Sequence, residues 1–513
     1  MTSPGPGHRA HRTRRPRTAT AVLGCCTALA VTAGCGSSDG AGAGGADATQ
    51  ASHGATHPGQ AAHAEHYTGE LADGAQWIAD VPQDFNGTLM LFSHGFGPLQ
   101  ARNAPDPKTR DALLKRGYAL IGSSYSGSSL WALNVAVKDQ FDTLSAVRKK
   151  VGAVREPKRT LAWGESMGGL INALVAQRGR GRVDGALSAC GILAGGIDFN
   201  EYQTDGDYAI NQLLVSGSSG SSGGSGGSGK QIKVSGFSSD EEATASGKAL
   251  ADAVRRAQST VRGRARTALV AALRNQPNWS SGRQPPTVHD YEAREEQQAE
   301  GLVRMSLPFT LGARYQVEKA QGGPVYSNVG VDYARLLRHS RDLPQVRALY
   351  KKAGLDLDQD LAKLTRNAHT EADPDAVRNM ERTAVPSGHL AVPHLTLHTT
   401  DDPLNPAPQE SEYARTVRSA GDGSMLRQTY VHATGHCTFR PGNWLAALNA
   451  LEHRLDSGSW GSATEPQKLN QAAKEAGEGN YPAFLRYTAP ELVGVRERET
   501  KAHDTRAHDT RAH

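Results

Sequence analysis

Hydrophobic positions along this chain switch between two periods. Between about residues 67 and 456, short apolar runs alternate with segments of helical spacing. The runs at 75–81, 87–93, 117–122, 159–163, 183–189, 390–398 and 427–431 are short and close to continuously apolar, which predicts strands buried on both faces. Val137, Phe141, Leu144 and Val147 fall on one face of a helix over 135–151. Asp106 and Pro107 supply a cap and a first turn for a helix running to Lys115. Residues 170–177, 408–419 and 443–455 carry further helical patterns, each after a strand. Strand and helix in alternation predict an α/β class with a mostly parallel sheet flanked by helices.

The alternation stops over 197–386, where composition is helical at 242–273, 288–301, 331–338, 346–353 and 373–383. An insertion of that size after the sixth strand is expected over the C-terminal edge of the sheet, where open α/β sheets bind ligands. It reads as a cap. Within it, 216–229 consists of Gly and Ser alone, a flexible coil spanning about 20 Å root-mean-square; both a natural loop expansion and an engineered replacement fit it. The core then divides into 67–196 and 387–456.

Composition changes the picture mainly at the ends. Arg9, Arg12, Arg14, Arg15 and Arg17 precede an apolar stretch over 21–33, too short to span a bilayer and patterned as an export leader, 1–35. Residues 36–66 are poor in core-forming side chains and read as a flexible tether, with His53, His57, His63 and His66 as solvated spacers. The extension 457–513 ends in a repeated polar unit over 502–513, expected to be disordered. Net charge is +5, much of it from the leader and tail. No basic patch interleaves with aromatic residues, so a nucleic-acid partner is not expected. Five cysteines are too few for a disulfide scaffold, and only Cys190 and Cys437 lie in the body.

The most informative stretch is Gly164-Glu165-Ser166-Met167-Gly168, followed by Gly169, set between an apolar strand and a helix. It fits G-x-S-x-G, a strained strand-to-helix turn that exposes a nucleophilic serine. Beyond the insertion, His398-Thr-Thr-Asp-Asp-Pro-Leu-Asn-Pro406 follows a strand, and Gly435-His436-Cys437 follows the next. Ser93-His94-Gly95-Phe96-Gly97 ends the third strand. Together these residues resemble the α/β-hydrolase superfamily, most of the body except the insertion being covered. They look in particular like the large secreted actinobacterial esterases and lipase-like hydrolases of that fold. The resemblance implies Ser166 as nucleophile, Asp402 as the acid with Asp401 as fallback, and His436 as the base with His432 competing. It implies an oxyanion hole from the backbone amides of Phe96 and Met167, on a loop where His94 and Gly95 are structural. No metal and no cofactor are expected. His432 and His436 are four apart without the helix or glutamate of a zinc site.

Thr32-Ala33-Gly34-Cys35 resembles a bacterial lipobox, with Thr32 where an aliphatic residue is usual. Lipid on Cys35 would anchor the protein to the outer face of the cell membrane; a plain secreted form is the other reading. Cys437 beside His436 is similar to the tannase and feruloyl-esterase arrangement, in which a disulfide joins the neighbours of Ser and His. Glu165 occupies the Ser side here, which leaves Cys190 as a candidate partner for Cys437, or both thiols free. The expected activity is hydrolysis of a small-molecule carboxylic ester through an acyl-enzyme. An aminopeptidase-like exopeptidase of the same fold is the first alternative, with Glu201, Asp205 and Asp207 as candidates to grip an amine. A ligand-binding lipoprotein without catalysis is the second. Tyr125 and Trp131 fit an acyl pocket or ordinary packing equally well.

Overall fold

Six apolar runs pair edge to edge in parallel and set the frame of the molecule. The computed structural model describes residues 64–215, 231–477, 479 and 481–496. The export leader with Cys35, the tether to residue 63, the Gly/Ser run at 216–229 and the repeated tail lie outside the described residues. The strands are β1 (Ala64–Glu70), β2 (Gln76–Pro82), β3 (Thr88–Ser93), β4 (Ala119–Ser123), β5 (Arg159–Glu165), β6 (Gly185–Ala189), β7 (His394–Asp401), β8 (Leu426–Thr434) and β9 (Phe484–Leu485). They form one sheet in the order β1-β2-β4-β3-β5-β6-β7-β8-β9. Neighbours from β4 through β8 run parallel, while β1, β2 and β9 join antiparallel. This is the α/β-hydrolase fold.

Side chains that alternate along each central strand feed two separate cores. From β3, Leu89 and Leu91 pack on one face, while Met90 and Phe92 pack on the other. The first face is covered by α2 (Ala136–Lys150), α3 (Met167–Arg178) and α13 (Pro408–Ser419). The second is covered by α1 (Pro107–Leu114), α14 (Pro441–Ser457) and α15 (Pro466–Glu475). Asp106 caps α1 as its sequence requires, its carboxylate accepting from the amides of Lys108 and Thr109.

Between β6 and β7 the chain forms α4 (Gly196–Ile210), α5 (Asp240–Ala257), α6 (Val261–Leu273), α7 (Tyr291–Gly301), α8 (Leu307–Gln321), α9 (Tyr333–Arg338), α10 (Leu343–Ala353), α11 (Leu357–Arg366) and α12 (Pro374–Ala384). Most of these helices share a third core of their own, around Leu250, Val254, Leu269, Leu302 and Leu311. The helical stretch expected over 242–273 is two helices. Thr260 caps α6 by accepting from Gly263 N at 2.9 Å. A Cβ at Gly263 would stand 2.1 Å from Ala257 O, so only glycine lets α6 start that close to the end of α5.

Two assignments at the ends need correcting. Residues 64–66 belong to β1 rather than to the tether, and His66 is no solvated spacer: its Nδ1 lies 2.6 Å from the buried Asp80 carboxylate. The extension beyond residue 456 is part of the sheet, adding β9 beside β8 and burying Leu492 and Val493.

Candidate active site

The half-buried serine stands on a turn that needs glycine on both sides of it. Ser166 links β5 to α3 with φ 58° and ψ −126°, a strained conformation for a residue with a side chain. A Cβ at Gly168 would fall 1.9 Å from Ser93 O, and one at Gly164 would fall 2.6 Å from Gly168 O. Glycine at both positions lets the helix start against the end of β3. Met167 begins α3, so its amide is one of the first-turn N–H groups with no partner inside the helix.

β7 and β8 deliver the other two groups. A β-bulge between Thr399 and Asp401 turns the end of β7. Asp401 faces Thr400, Arg341 and His432, and burial raises its carboxyl above the usual range. Asp402, one residue on, is fully buried. Its Oδ1 accepts from the amides of Leu404 at 2.9 Å and Asn405 at 3.0 Å. Its Oδ2 lies 2.8 Å from His436 Nδ1. A carboxylate only accepts, so Nδ1 carries the proton and Nε2 is left with its lone pair. That Nε2 lies 2.8 Å from Ser166 Oγ. His432 points elsewhere, its exposed ring lying tilted against Trp279 with centroids 4.9 Å apart.

The loop after β3 crosses directly over the serine. A Cβ at Gly95 would stand 3.1 Å from Ser166 Cβ, so the lack of a side chain at position 95 lets the loop lie close against the serine. His94 is buried and lies against the Tyr125 ring at 4.2 Å. Burial holds its imidazole below the ordinary histidine range, and its Nδ1 donates to Gly95 O at 2.8 Å. Fixing that carbonyl fixes the far side of the same planar trans peptide, the Phe96 N–H, which points the opposite way. Tyr125 and Trp131, weighed as an acyl pocket, are both packed in the sheet's core.

Two further features frame the histidine. Cys190, at the end of β6, is joined to Cys437 by a disulfide, tying the residue after His436 to the strand beside the elbow. Both cysteines have positive φ, 43° and 52°. His436 and the two sulfurs cluster closely enough to suggest a metal site, but the sulfurs are spent in the disulfide and the ring in its bonds to Ser166 and Asp402. Sequence reasoning noticed Glu165 only as the residue standing where another family has cysteine. It is half-buried beside Ser166, and desolvation pushes its carboxyl up to about 7 against the pull of His436 and Arg102.

The helical insertion touches all three loops. Ser306 Oγ donates to Pro403 O in the acid loop at 2.8 Å. Trp279 O accepts from Thr434 Oγ1 beside the histidine loop at 2.8 Å. Phe309, 42% exposed, stands edge-on to Phe96 at 5.7 Å.

No protein-family model matches the chain. It is 28% identical over 439 residues to an o-phthalyl amidase of Xanthobacter agilis, an alignment covering 82% of this chain and 94% of that protein. Among solved structures it resembles feruloyl esterase B from Aspergillus oryzae with a TM-score of 0.37 and 13% identity, over 77% of this chain and 80% of that one. It also resembles an acylaminoacyl peptidase of Pyrococcus horikoshii with a TM-score of 0.31 and 10% identity, over 74% and 38% of the two chains.

Proposed function

We propose, for a chain that belongs to the α/β-hydrolase superfamily of serine hydrolases, acting on esters or amides, that Ser166, His436 and Asp402 are its catalytic triad and work through an acyl-enzyme. The observation that carries this reading is the unbroken hydrogen-bonded line from Ser166 Oγ through His436 to Asp402. As Oγ attacks the scissile carbonyl, His436 Nε2 takes its proton, and Asp402 stabilises the imidazolium so formed. The carbonyl oxygen becomes an oxyanion, for which the Phe96 and Met167 amides are the donors. His436 then protonates the leaving alcohol or amine. Water repeats the sequence in reverse and frees the acid.

A carboxylic ester is the reading the triad supports most broadly, since an alkoxide leaves more easily than an amide nitrogen. Similarity to an o-phthalyl amidase favours an amide as the second reading. The insertion acts as a cap, and Phe309 with Phe96 gives it an apolar wall suited to an aromatic acyl group. The exopeptidase reading loses its amine grip. Asp205 is bound by Arg496, Tyr326 and Tyr333, Asp207 by Arg274 and Arg314, and Glu201 by Arg496. Export is supported by the leader and by a disulfide of the kind that persists in oxidising compartments. Lipid at Cys35 would hold the enzyme at the membrane, and no helix among the described residues is long and apolar enough to cross one.

The test is a panel of matched aryl and alkyl esters and anilides, turned over by the chain lacking its leader and by Ser166→Ala. Loss of roughly 10⁴-fold or more in the variant is expected. Turnover that survives the substitution would refute Ser166 as nucleophile. An inactive but folded wild-type chain that resists fluorophosphonate would favour the non-catalytic binding protein.

A further inference from the structure

Beneath the acid loop lies a buried ion pair that makes no contact with the reacting atoms. His398 on β7 and Glu410 on α13 are both fully buried, with His398 Nδ1 3.0 Å from Glu410 Oε1. The second oxygen of Glu410 accepts from Thr396 Oγ1 at 2.7 Å and from Gln428 Nε2. The other nitrogen of His398 lies 2.7 Å from the backbone oxygen of Asn405, which can only accept, so Nε2 carries a proton, and a second proton lies between Nδ1 and Glu410 Oε1. Burial disfavours charge on the ring, but Glu410 outweighs it and holds His398 above the ordinary histidine range.

His394, four residues earlier on the same face of β7, shows how much the partner decides. Its nitrogens meet only hydroxyls, Ser188 Oγ at 2.7 Å and Tyr413 OH at 2.8 Å, and burial pushes it down to about 3. What His398 has and His394 lacks is a carboxyl partner.

Asn405 connects this pair to the triad. Its carbonyl accepts from His398, its amide donates to Asp402 Oδ1 at 3.0 Å, and its side chain donates to Cys190 O at 2.7 Å. The carboxylate beside His436, the β6 end that carries the disulfide, and the buried His398–Glu410 pair therefore converge on one residue. We infer that His398 and Glu410 are positioning residues for the reaction, acting through Asn405 to hold Asp402 in register with His436. The inference rests on the reading of Asp402 as the triad acid.

A double-mutant cycle tests it, with kcat and KM measured for the wild type, Glu410→Gln, Asp402→Asn and the double variant, each checked for folding by thermal melting. Glu410→Gln keeps the shape and removes the charge. The expected loss in kcat is about tenfold in the wild-type background, with KM little changed, since small misplacements of a catalytic group cost up to ~10² in rate. In the Asp402→Asn background the same substitution is expected to change kcat less than about twofold, because the group being positioned has already been disabled. Equal losses in both backgrounds, or no loss in the first, would overturn the inference. Should Glu410→Gln not accumulate folded, the same cycle with His398→Gln decides by the same criterion. Asp402→Asn with unaltered kcat would instead sink the reading of the triad, and the inference with it. That outcome is separable because it appears without any change at position 410.

Discussion

Replacing both Cys190 and Cys437 with serine should lower stability and activity together. The disulfide closes a sequence separation of 247 residues, and chain-entropy reasoning for a loop of that length gives roughly 5 kcal/mol of constraint on the unfolded chain. For a body of this size that corresponds to a fall in Tm of roughly 5 °C. The active site adds a local effect. Both cysteines have left-handed φ, a conformation costing roughly 1 kcal/mol each in a residue with a side chain. Once the bond is gone, relaxation of these two residues moves the segment carrying His436, whose Nε2 must stay within reach of Ser166 Oγ. Calorimetry of the wild type with and without reductant, beside the double serine variant, separates the contributions. Reductant should lower the Tm and kcat of the wild type toward those of the variant and leave the variant unchanged. If oxidised and reduced wild type melted within a degree of each other and turned over equally fast, the disulfide would have neither role.

Other substitutions probe the remaining parts of the site. The carboxyl of Glu165 titrates near 7, well above its unfolded value, so the folded state holds the extra proton and this group's contribution to stability falls as pH rises from about 4.5 to 7. Glu165→Gln should therefore stabilise the protein at pH 8 and not at pH 4.5, which melting curves at the two pH values will read. His94→Phe keeps the stack on Tyr125 but removes the donor to Gly95 O. A loss of ~10² in kcat with little change in KM is expected if the Phe96 amide is an oxyanion donor, and a KM effect alone would count against it. Gly168→Ala drives a methyl into Ser93 O and should abolish folding or activity; a fully active variant would mean that the elbow is looser than its geometry.

The parallel strands were legible because each is buried on both faces and so reads as a continuous apolar run. Ser166, Asp402 and His436 were legible as candidates because each follows a strand end within a short local signature. β1 was not, since it is a polar edge strand whose register depends on β2, and β9 is only two residues long. α8 was missed because Arg314, Glu318 and Gln321 interrupt its buried face, whereas α11 did carry a local signal, Leu357, Leu361 and Leu364 at helical spacing. The pairing of Asp205 with Arg496 crosses most of the chain, and no local rule could join them. His398 did leave a signal. A histidine inside an otherwise apolar strand must find a partner or stay neutral, and that question, asked of β7, leads to Glu410.

The pairing of β6 with β7 bears on the order of assembly. Ala186 sits opposite His394, yet the whole insertion lies between them in the chain. Joining two strands across so long a flexible loop is entropically costly and slow. An insertion that first collapses on its own core shortens that loop to the distance between its two ends. The strand that ends at Cys190 and the strand that leads to Asp402 can then meet as near neighbours. The helices of the insertion would thus serve, during folding, as the clamp that brings the two halves of the sheet together.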